Sequence, residues 1–529
     1  MTIRLAKKIT EQAAEWLTKG ITEGRPRRLI KWFSSTSSRD LRSGLALPRN
    51  KPSLSGDREI KTLSLANNIC IPLLNYQQEA LTPVVSIGQT VRPGDLLAPG
   101  VIASCFGVIE SIESRAVNHP SGINSLCIII SPEVDKPNEV AVYPTQENVT
   151  TERISACAIH GLGGAGFKTA DKLVAINATD HGFVDTLVIN AVECEPLISC
   201  DESLIANQAP TIVTAIEGLI DLTQCRRCLL AIEDDKTVAI EQLELAIREY
   251  AQQVRFEVVY LAPVYPSGAE RPLVERLTGK QTPGNIFPAS LGILCINVAT
   301  ALATERARQG HTLISRIVTI AGELCDNPVN VRVTFGTSVY DVIQQTGNLA
   351  HIDAARIRVG GPLSGFFIQD LSAPITATTN CITLERSTKS EQIHPCIRCG
   401  ACSDVCPVDL LPQQLNTYCV NENTEKAKVF RLSECIECAC CDAVCPSNIP
   451  LTQTFRFAKG LIREQDRQSL LATQAESRYQ QRETRLADRL DKRALKRDAA
   501  RARLATSKDP IADALARAKQ RRKRSADDQ

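Results

Sequence analysis

Apolar residues change their spacing repeatedly along this chain, and each change predicts a different kind of element. In residues 3–21, Ile9, Ala13, Trp16 and Leu17 fall near one helical face, with Lys7, Lys8 and Lys19 elsewhere. That pattern suits either an anionic membrane surface or a loose docking extension. The run Ser34-Ser35-Thr36-Ser37-Ser38 then reads as a linker, giving an N-terminal extension over 1–42. From 43 to 150, short β-branched runs such as Val84-Val85-Ser86-Ile87 and Val91 alternate with Gly88, Pro93 and Gly94, which predicts hairpins. Between 151 and 312 the period alternates: strands at Leu187–Asn190 and Cys228–Ile232, helices at Ala209–Leu222 and Val238–Tyr250. That rhythm predicts an α/β domain with a parallel sheet. Over 313–368, Ile317–Gly322 and Asn330–Val333 precede a short helix at Val339–Gln345, as in a small β-grasp-like insert. After a cysteine-rich stretch at 369–455, residues 456–529 are charged and helical without sustained apolar heptads. Arg and Glu at helical offsets there add a few tenths of a kcal/mol per pair, roughly. Asp509-Pro510 opens a second helix whose Ile511, Leu515 and Ala518 suit a partner, and Arg521–Arg524 suits solvent or anionic lipid. The fold class is a multidomain α/β plus β protein.

At 529 residues the chain holds about three or four domains. Its net charge of +2 and 4% aromatic content argue against a nucleic-acid partner, which needs basic surface and stacking faces. The sequence contains no apolar run near the roughly 20 residues that span a bilayer. The expectation is a soluble chain that reaches a membrane peripherally.

Eight of the 21 cysteines sharpen the picture. They read Cys396-x2-Cys399-x2-Cys402-x3-Cys406-Pro407 and Cys435-x2-Cys438-x2-Cys441-x3-Cys445-Pro446, the bacterial ferredoxin run written twice. In that run three thiolates hold one [4Fe–4S] cluster and the fourth ligates the other. The spacing assigns Cys396, Cys399, Cys402 and Cys445 to a first cluster, and Cys435, Cys438, Cys441 and Cys406 to a second. Zinc ribbons use paired CxxC motifs with longer spacers. Cys440 competes with Cys441 within the second run, and spacing favours Cys441. The remaining thiols, including Cys225-Arg-Arg-Cys228, read as core or surface residues in a reducing compartment.

A glycine loop, Gly161-Leu162-Gly163-Gly164-Ala165-Gly166, precedes Lys168 and Lys172. Glycine crowding lets backbone N–H groups approach a phosphate, yet the loop lacks the strand and spacing of a Rossmann site and by itself serves equally as a turn. Asn190-Ala191-Val192-Glu193-Cys194-Glu195-Pro196 follows a predicted strand, with two carboxylates expected to point the same way. Together with Tyr265-Pro266-Ser267-Gly268-Ala269-Glu270 and Asn297-Val298-Ala299-Thr300, these motifs form a candidate constellation for a flavin or nucleotide. No residue is assigned a catalytic role.

Residues 91–109 resemble the barrel-sandwich fold of biotinyl and lipoyl carriers, without a lysine between Lys61 and Lys136 to modify, so a scaffold is expected. The whole motif order, continuing through Gly360-Gly361-Pro362-Leu363-Ser364-Gly365 and the double cysteine run to Ser447-Asn448-Ile449-Pro450, resembles the RnfC/RsxC family of the Rnf/Rsx ion-translocating electron transport complexes over roughly 43–460. The middle region is also similar to the NADH- and FMN-binding subunit of respiratory complex I. That similarity implies an FMN phosphate loop at Gly161, Gly163, Gly164, Gly166 and Lys172. It implies flavin and nicotinamide contacts at Asn190, Glu193 and Glu195, nucleotide contacts at Gly268 and Glu270, and flavin phosphate contacts at Asn297 and Thr300. Lys168 replaces a usual proline, and Ser43–Pro48 lacks the histidine of the family's Gly-Gly-x-His-Pro-Pro. The resemblance implies two [4Fe–4S] clusters, FMN and NADH. It further implies membrane-embedded and iron–sulfur partner subunits at the cytoplasmic face of a bacterial inner membrane, with ion movement coupled to electron transfer. The alternative is a two-cluster relay with no flavin or nucleotide site.

Overall fold

A computed structural model describes residues 44–47, 60–75, 79–133, 135–136, 140–177, 182–250, 255–282, 286–387, 392–506 and 509–527. The expected helix at 3–21 and linker at 34–38 lie outside these residues. The chain divides into two compact units, Met1–Phe455 and Arg456–Gln529.

In the first unit, β1 is Lys61–Thr62, followed by β2 (Ile69–Pro72), β3 (Thr90–Val91), β4 (Leu96–Ala98), β5 (Val101–Ile102), β6 (Gly107–Ala116) and β7 (Asn124–Pro132). Strands β2, β7, β6 and β3 form one antiparallel sheet in that order, and β4 pairs with β5. Alternate residues Ile69, Ile71, Ile128 and Ile130 close a core with Val91, Leu97 and Ile109. Period-two burial on a half-covered sheet is what the hairpin pattern requires.

Next come α1 (Thr151–Ala156), α2 (Thr169–Asn177), β8 (Thr186–Ala191), α3 (Cys200–Thr223), β9 (Arg227–Glu233), α4 (Thr237–Tyr250), β10 (Glu257–Leu261), α5 (Glu270–Thr278), β11 (Ile293–Asn297) and α6 (Val298–Arg308). The four strands are parallel in the order β10-β9-β8-β11. Both faces are covered, which explains the near-continuous apolar strands. Leu187 and Ile189 face one core with α3 and α6, while Val188 faces another with Leu273 and Val274 of α5. Fully burying each such aliphatic side chain contributes about 1.5–3 kcal/mol.

A six-stranded sheet follows from β12 (Ser315–Ala321), β13 (Val329–Thr334), α7 (Val339–Gln345), β14 (Ala355–Val359), β15 (Phe366–Ile368) and β16 (Cys381–Arg386), ordered β1-β13-β12-β16-β14-β15. It draws on residues either side of the expected 313–368 segment. β16 pairs with both β12 and β14, and β1 joins the β13 edge. Long-range pairing of this kind leaves no local signal beyond a short alternating run.

The cysteine stretch carries only short helices: α8 (Ala401–Asp404), α9 (Pro412–Val420), α10 (Thr424–Val429) and α11 (Cys440–Ala443). α12 (Leu451–Thr506) runs into the second unit, which also holds α13 (Pro510–Asp527). Described side chains from 463 to 503 are exposed, and they pair along the helix, as where Glu464 accepts from Arg467 at 2.8 Å. Among the described residues no helix is long and apolar enough to cross a membrane.

Candidate functional site

β8 and β11 end side by side, with Asn190 in register with Asn297. From β8 the chain steps outward through β9 to β10 and returns to the opposite flank as β11. The crevice at these strand ends is therefore the topological switch point, where open α/β sheets bind ligands. Asn190 Oδ1 accepts from Val192 N at 3.0 Å, and its Nδ2 donates to Gly268 O at 2.8 Å. Asn297 caps α6 by accepting from Ala299 N and Thr300 N, and its Nδ2 donates to Asp201 Oδ2 at 2.6 Å. The glycine loop closes over this corner, because Leu162 N donates to Thr300 Oγ1 at 2.9 Å and Gly161 N to Phe167 O at 2.8 Å. A Cβ on Gly163 would lie 3.3 Å from Asn297 Cβ, whereas one on Gly164, at φ +101°, would meet nothing within 4 Å. The loop thus has one packed side and one open rim, with Gly166 at φ +65° completing the turn.

The two carboxylates do not share a direction. Glu193, 8% exposed, turns to the N-terminus of α3, accepting from Asp201 N at 3.0 Å, Glu202 N at 3.3 Å and Cys200 Sγ at 3.2 Å. Ser199 offers α3 no side-chain cap, so this carboxylate satisfies the orphan amides and faces the positive end of the helix. Glu193, Cys200 and Asp201 bring potential ligand atoms within 4.8 Å of one another as a consequence. Glu195 turns instead to the six-stranded sheet, accepting from Leu363 N at 2.9 Å, Ser364 N at 2.7 Å and Ser364 Oγ. Gly361 permits that approach, since a Cβ there would sit 2.4 Å from Glu195 Cδ.

Lys172 likewise points away from the loop. Its Nζ pairs with Glu270 at 3.1 Å and donates to Cys295 O at 3.2 Å. Lys168 packs toward the barrel-sandwich turn, where a Cβ on Gly100 would lie 2.6 Å from Nζ. Gly268 lies against Val192 O and donates its N–H to Cys194 Sγ at 3.3 Å. Beside it, Ser267 Oγ is buried with no hydrogen-bond partner among the described residues. Tyr265 Oη donates to Cys438 O at 2.7 Å, joining this crevice to the second cysteine run. Burial first, and then the charge of Glu195, hold the Tyr265 phenol well above its ordinary pKa.

The two cysteine runs repeat the same backbone thirty-nine residues apart. Arg398 and Glu437, Gly400 and Ala439, and Asp409 and Asn448 all take left-handed φ at matching places. Such turns aim successive amides inward, and Arg398 N donates to Cys396 Sγ at 3.4 Å and Leu410 N to Cys406 Sγ at 3.3 Å. All eight thiols are free. Burial raises Cys402, with Cys399 and Cys396 adding to the shift, and burial likewise raises Cys406, with Cys438 adding to it. Cys441 is raised by burial, then by Asp442, Cys435 and Cys438. The end of the second run ties to the start of the first: His394 N donates to Ser447 O, Ser447 Oγ to Pro395 O, and Asn448 Nδ2 to Gln392 O.

Residues 39–135 match the RnfC barrel sandwich hybrid domain and residues 154–306 the Nuo51 FMN-binding domain. The chain is 38% identical over 470 residues to the RnfC-type subunit of the ion-translocating oxidoreductase complex of Pseudomonas aeruginosa, covering 86% of this chain and 60% of that one. It is 36% identical to the corresponding subunit of Pectobacterium atrosepticum, covering 94% of this chain and 73% of the relative. The chain belongs to the RnfC family. It spans 60% and 57% of the lengths of the Pseudomonas aeruginosa and Edwardsiella ictaluri members. An NAD+-reducing [NiFe]-hydrogenase shares 16% identity at a TM-score of 0.42, over 58% of this chain and 59% of that one.

Within the RnfC family frame, the crevice offers features that fit a flavin phosphate: an open glycine rim, a capped helix start at Asn297 and the unpartnered Ser267 hydroxyl. The eight thiols, with inward amides and no disulfide among them, fit iron–sulfur ligation in donor type and number. Sequence reasoning missed Asp201, Leu363 and Ser364 as partners of the named residues, and also a buried set at the end of β9. There Lys236, 3% exposed, pairs with Glu202 at 2.9 Å and Glu233 at 3.9 Å. Two acidic residues directly after Cys200 were the available signal for the first of these.

Proposed function

We propose that this chain is the peripheral subunit through which a nicotinamide nucleotide delivers electrons to a membrane-bound, ion-translocating complex at the cytoplasmic face of the bacterial inner membrane. The observation that carries it is the Tyr265–Cys438 hydrogen bond, which sets the switch-point crevice directly against the second cysteine run. Cys396, Cys399, Cys402 and Cys445 would hold one [4Fe–4S] cluster, and Cys435, Cys438, Cys441 and Cys406 the other. The Ser447 and Asn448 tethers and the Cys406–Cys438 electrostatic proximity support that crossed assignment. FMN would lie along Gly161, Gly163, Gly164 and Gly166, with Asn297, Thr300 and Ser267 around it. When bound, flavin divides the two electrons of a hydride into single electrons, and each cubane takes one at a time.

The protein's own work is positional. Thr300 fixes the glycine loop, Asn190 holds Gly268 against the strand end, and Glu195 locks the 361–364 loop over the same corner. Asn190, Glu193, Glu195, Lys172 and Glu270 would act on flavin or NADH through this framework. Its partners would be the membrane-embedded and iron–sulfur subunits of the same complex.

The two-cluster relay is the second reading, and one observation favours it: Glu193, Glu195, Lys172 and Glu270 all bond protein groups. Anaerobic reconstitution separates the two. About eight irons, bound FMN and bleaching of the cluster bands by NADH are expected for the electron-input subunit, by the ligand count of two cubanes. Full iron with neither flavin nor bleaching would leave the relay.

A further inference from the structure

The two cysteine loops share a backbone but differ at two adjacent positions. Where the first reads Cys399-Gly400-Ala401-Cys402, the second reads Cys438-Ala439-Cys440-Cys441. Ala439 keeps the left-handed conformation of Gly400, φ 58° against 83°, despite its Cβ. The equivalent turn is therefore retained, and the side chain of Cys440 occupies the place that Ala401 fills with a methyl group. Cys440 is completely buried, whereas Ala401 is half-buried. Its thiol is hydrogen-bonded to that of Cys438, the strongest single influence on the Cys438 side chain. Cys441, not Cys440, has Cys435 and Cys438 as charged neighbours in the manner of a third ligand.

We propose that Cys440 is not a ligand but a buried thiol that donates a hydrogen bond to the Cys438 sulfur and so raises the reduction potential of the second cluster alone. This rests on reading residues 396–445 as a two-cluster unit. A ligating Cys438 is a thiolate and can only accept, so the proton of the pair belongs to Cys440. On reduction the cluster gains one electron, with no bond formed or broken and no proton transferred. The added negative charge spreads onto the ligand sulfurs, and a donor aimed at one of them stabilises the reduced form. The first cluster has no counterpart, because Ala401 carries no donor. The effect falls on the run that Tyr265 joins to the switch-point crevice, so it favours electron residence at the cluster nearest the proposed input site.

The test is a dithionite titration of the reconstituted full-length chain, followed by EPR, on wild type, Cys440→Ala and Cys440→Ser. The signal missing from Cys435→Ala identifies the second cluster. Cys440→Ala is expected to keep the wild-type iron count and lower that cluster's midpoint while leaving the other unmoved. Cys440→Ser, whose hydroxyl still donates, is expected to shift it less. Loss of half the iron in Cys440→Ala would make Cys440 a ligand and overturn the proposal, as would a midpoint that stays put or rises. Wild-type protein with a single cluster signal would overturn the two-cluster reading itself, and this proposal with it.

Discussion

The parallel sheet and the cysteine loops meet at Tyr265, yet they are ordered by different forces. Around the sheet, Leu187, Ile189, Leu230, Ile232, Ile212 and Ile216 are buried on one face alone, and α3 and α6 seal it. The loops have Leu410, Leu415 and Leu432 and helices of four to nine residues, with Cys396 and Cys399 exposed. Helices that short are marginal without tertiary support. One region therefore carries its own hydrophobic core, whereas the other has the composition of a metal-dependent fold, in which binding energy is also folding energy.

The largest expected effect breaks the second region and spares the first. Cys435→Ala should halve the iron content and deprotect the amides of 396–445 in hydrogen exchange, with the sheet amides unchanged. Full iron in that variant would remove Cys435 from the ligand set. The complementary blow to the sheet is Lys236→Met, which strands two buried carboxylates and should cost about 3–5 kcal/mol in urea unfolding. A loss near zero would mean that water already reaches Glu202 and Glu233.

Smaller changes probe the seams. Gly361→Ala drives a methyl group into the Glu195 carboxylate and should destabilise by about 1–3 kcal/mol, with faster exchange at Leu363 and Ser364. Tyr265→Phe removes the bond to Cys438 O and should lose about 0.5–1.5 kcal/mol, seen as faster opening of the second loop. Unaltered exchange there would show that packing, not the hydrogen bond, joins the two regions.

The smallest effect is a pH dependence. Burial holds His160 below its ordinary pKa, against its contact with Ala158 O. The unfolded chain then binds more protons as pH falls through about 6.5, so stability drops below that pH and is flat above it. His160→Gln should flatten the part of the stability curve between pH 5 and 7 that this group controls. A curve identical to wild type would assign that slope to other groups.

Periodicity was enough to place β8, β9, α4 and α7 within a residue or two. It failed at α3, which begins at Cys200 and not at Ala209. The helix continues across a non-helical Gln208 and through Pro210, and a proline in a helical run reads as a boundary. What sustains the first two turns is the Glu193 carboxylate from outside the helix. β16 was missed for a similar reason, since its partners β12 and β14 are distant in sequence. At the site, the glycine loop, Asn297 and Thr300 were legible together, while the opposite facing of Glu193 and Glu195 was not.

The sequence by itself determined the strand periods, the duplicated cysteine spacing and the motif order, because each depends on neighbours a few residues apart. Only the tertiary structure decided which carboxylate caps α3, which one holds the 361–364 loop, and which cysteine run touches the crevice. Those outcomes depend on competition among donors brought together from distant segments. A buried carboxylate goes to whichever amides would otherwise stay unsatisfied, and no local pattern in the chain records where those amides will be.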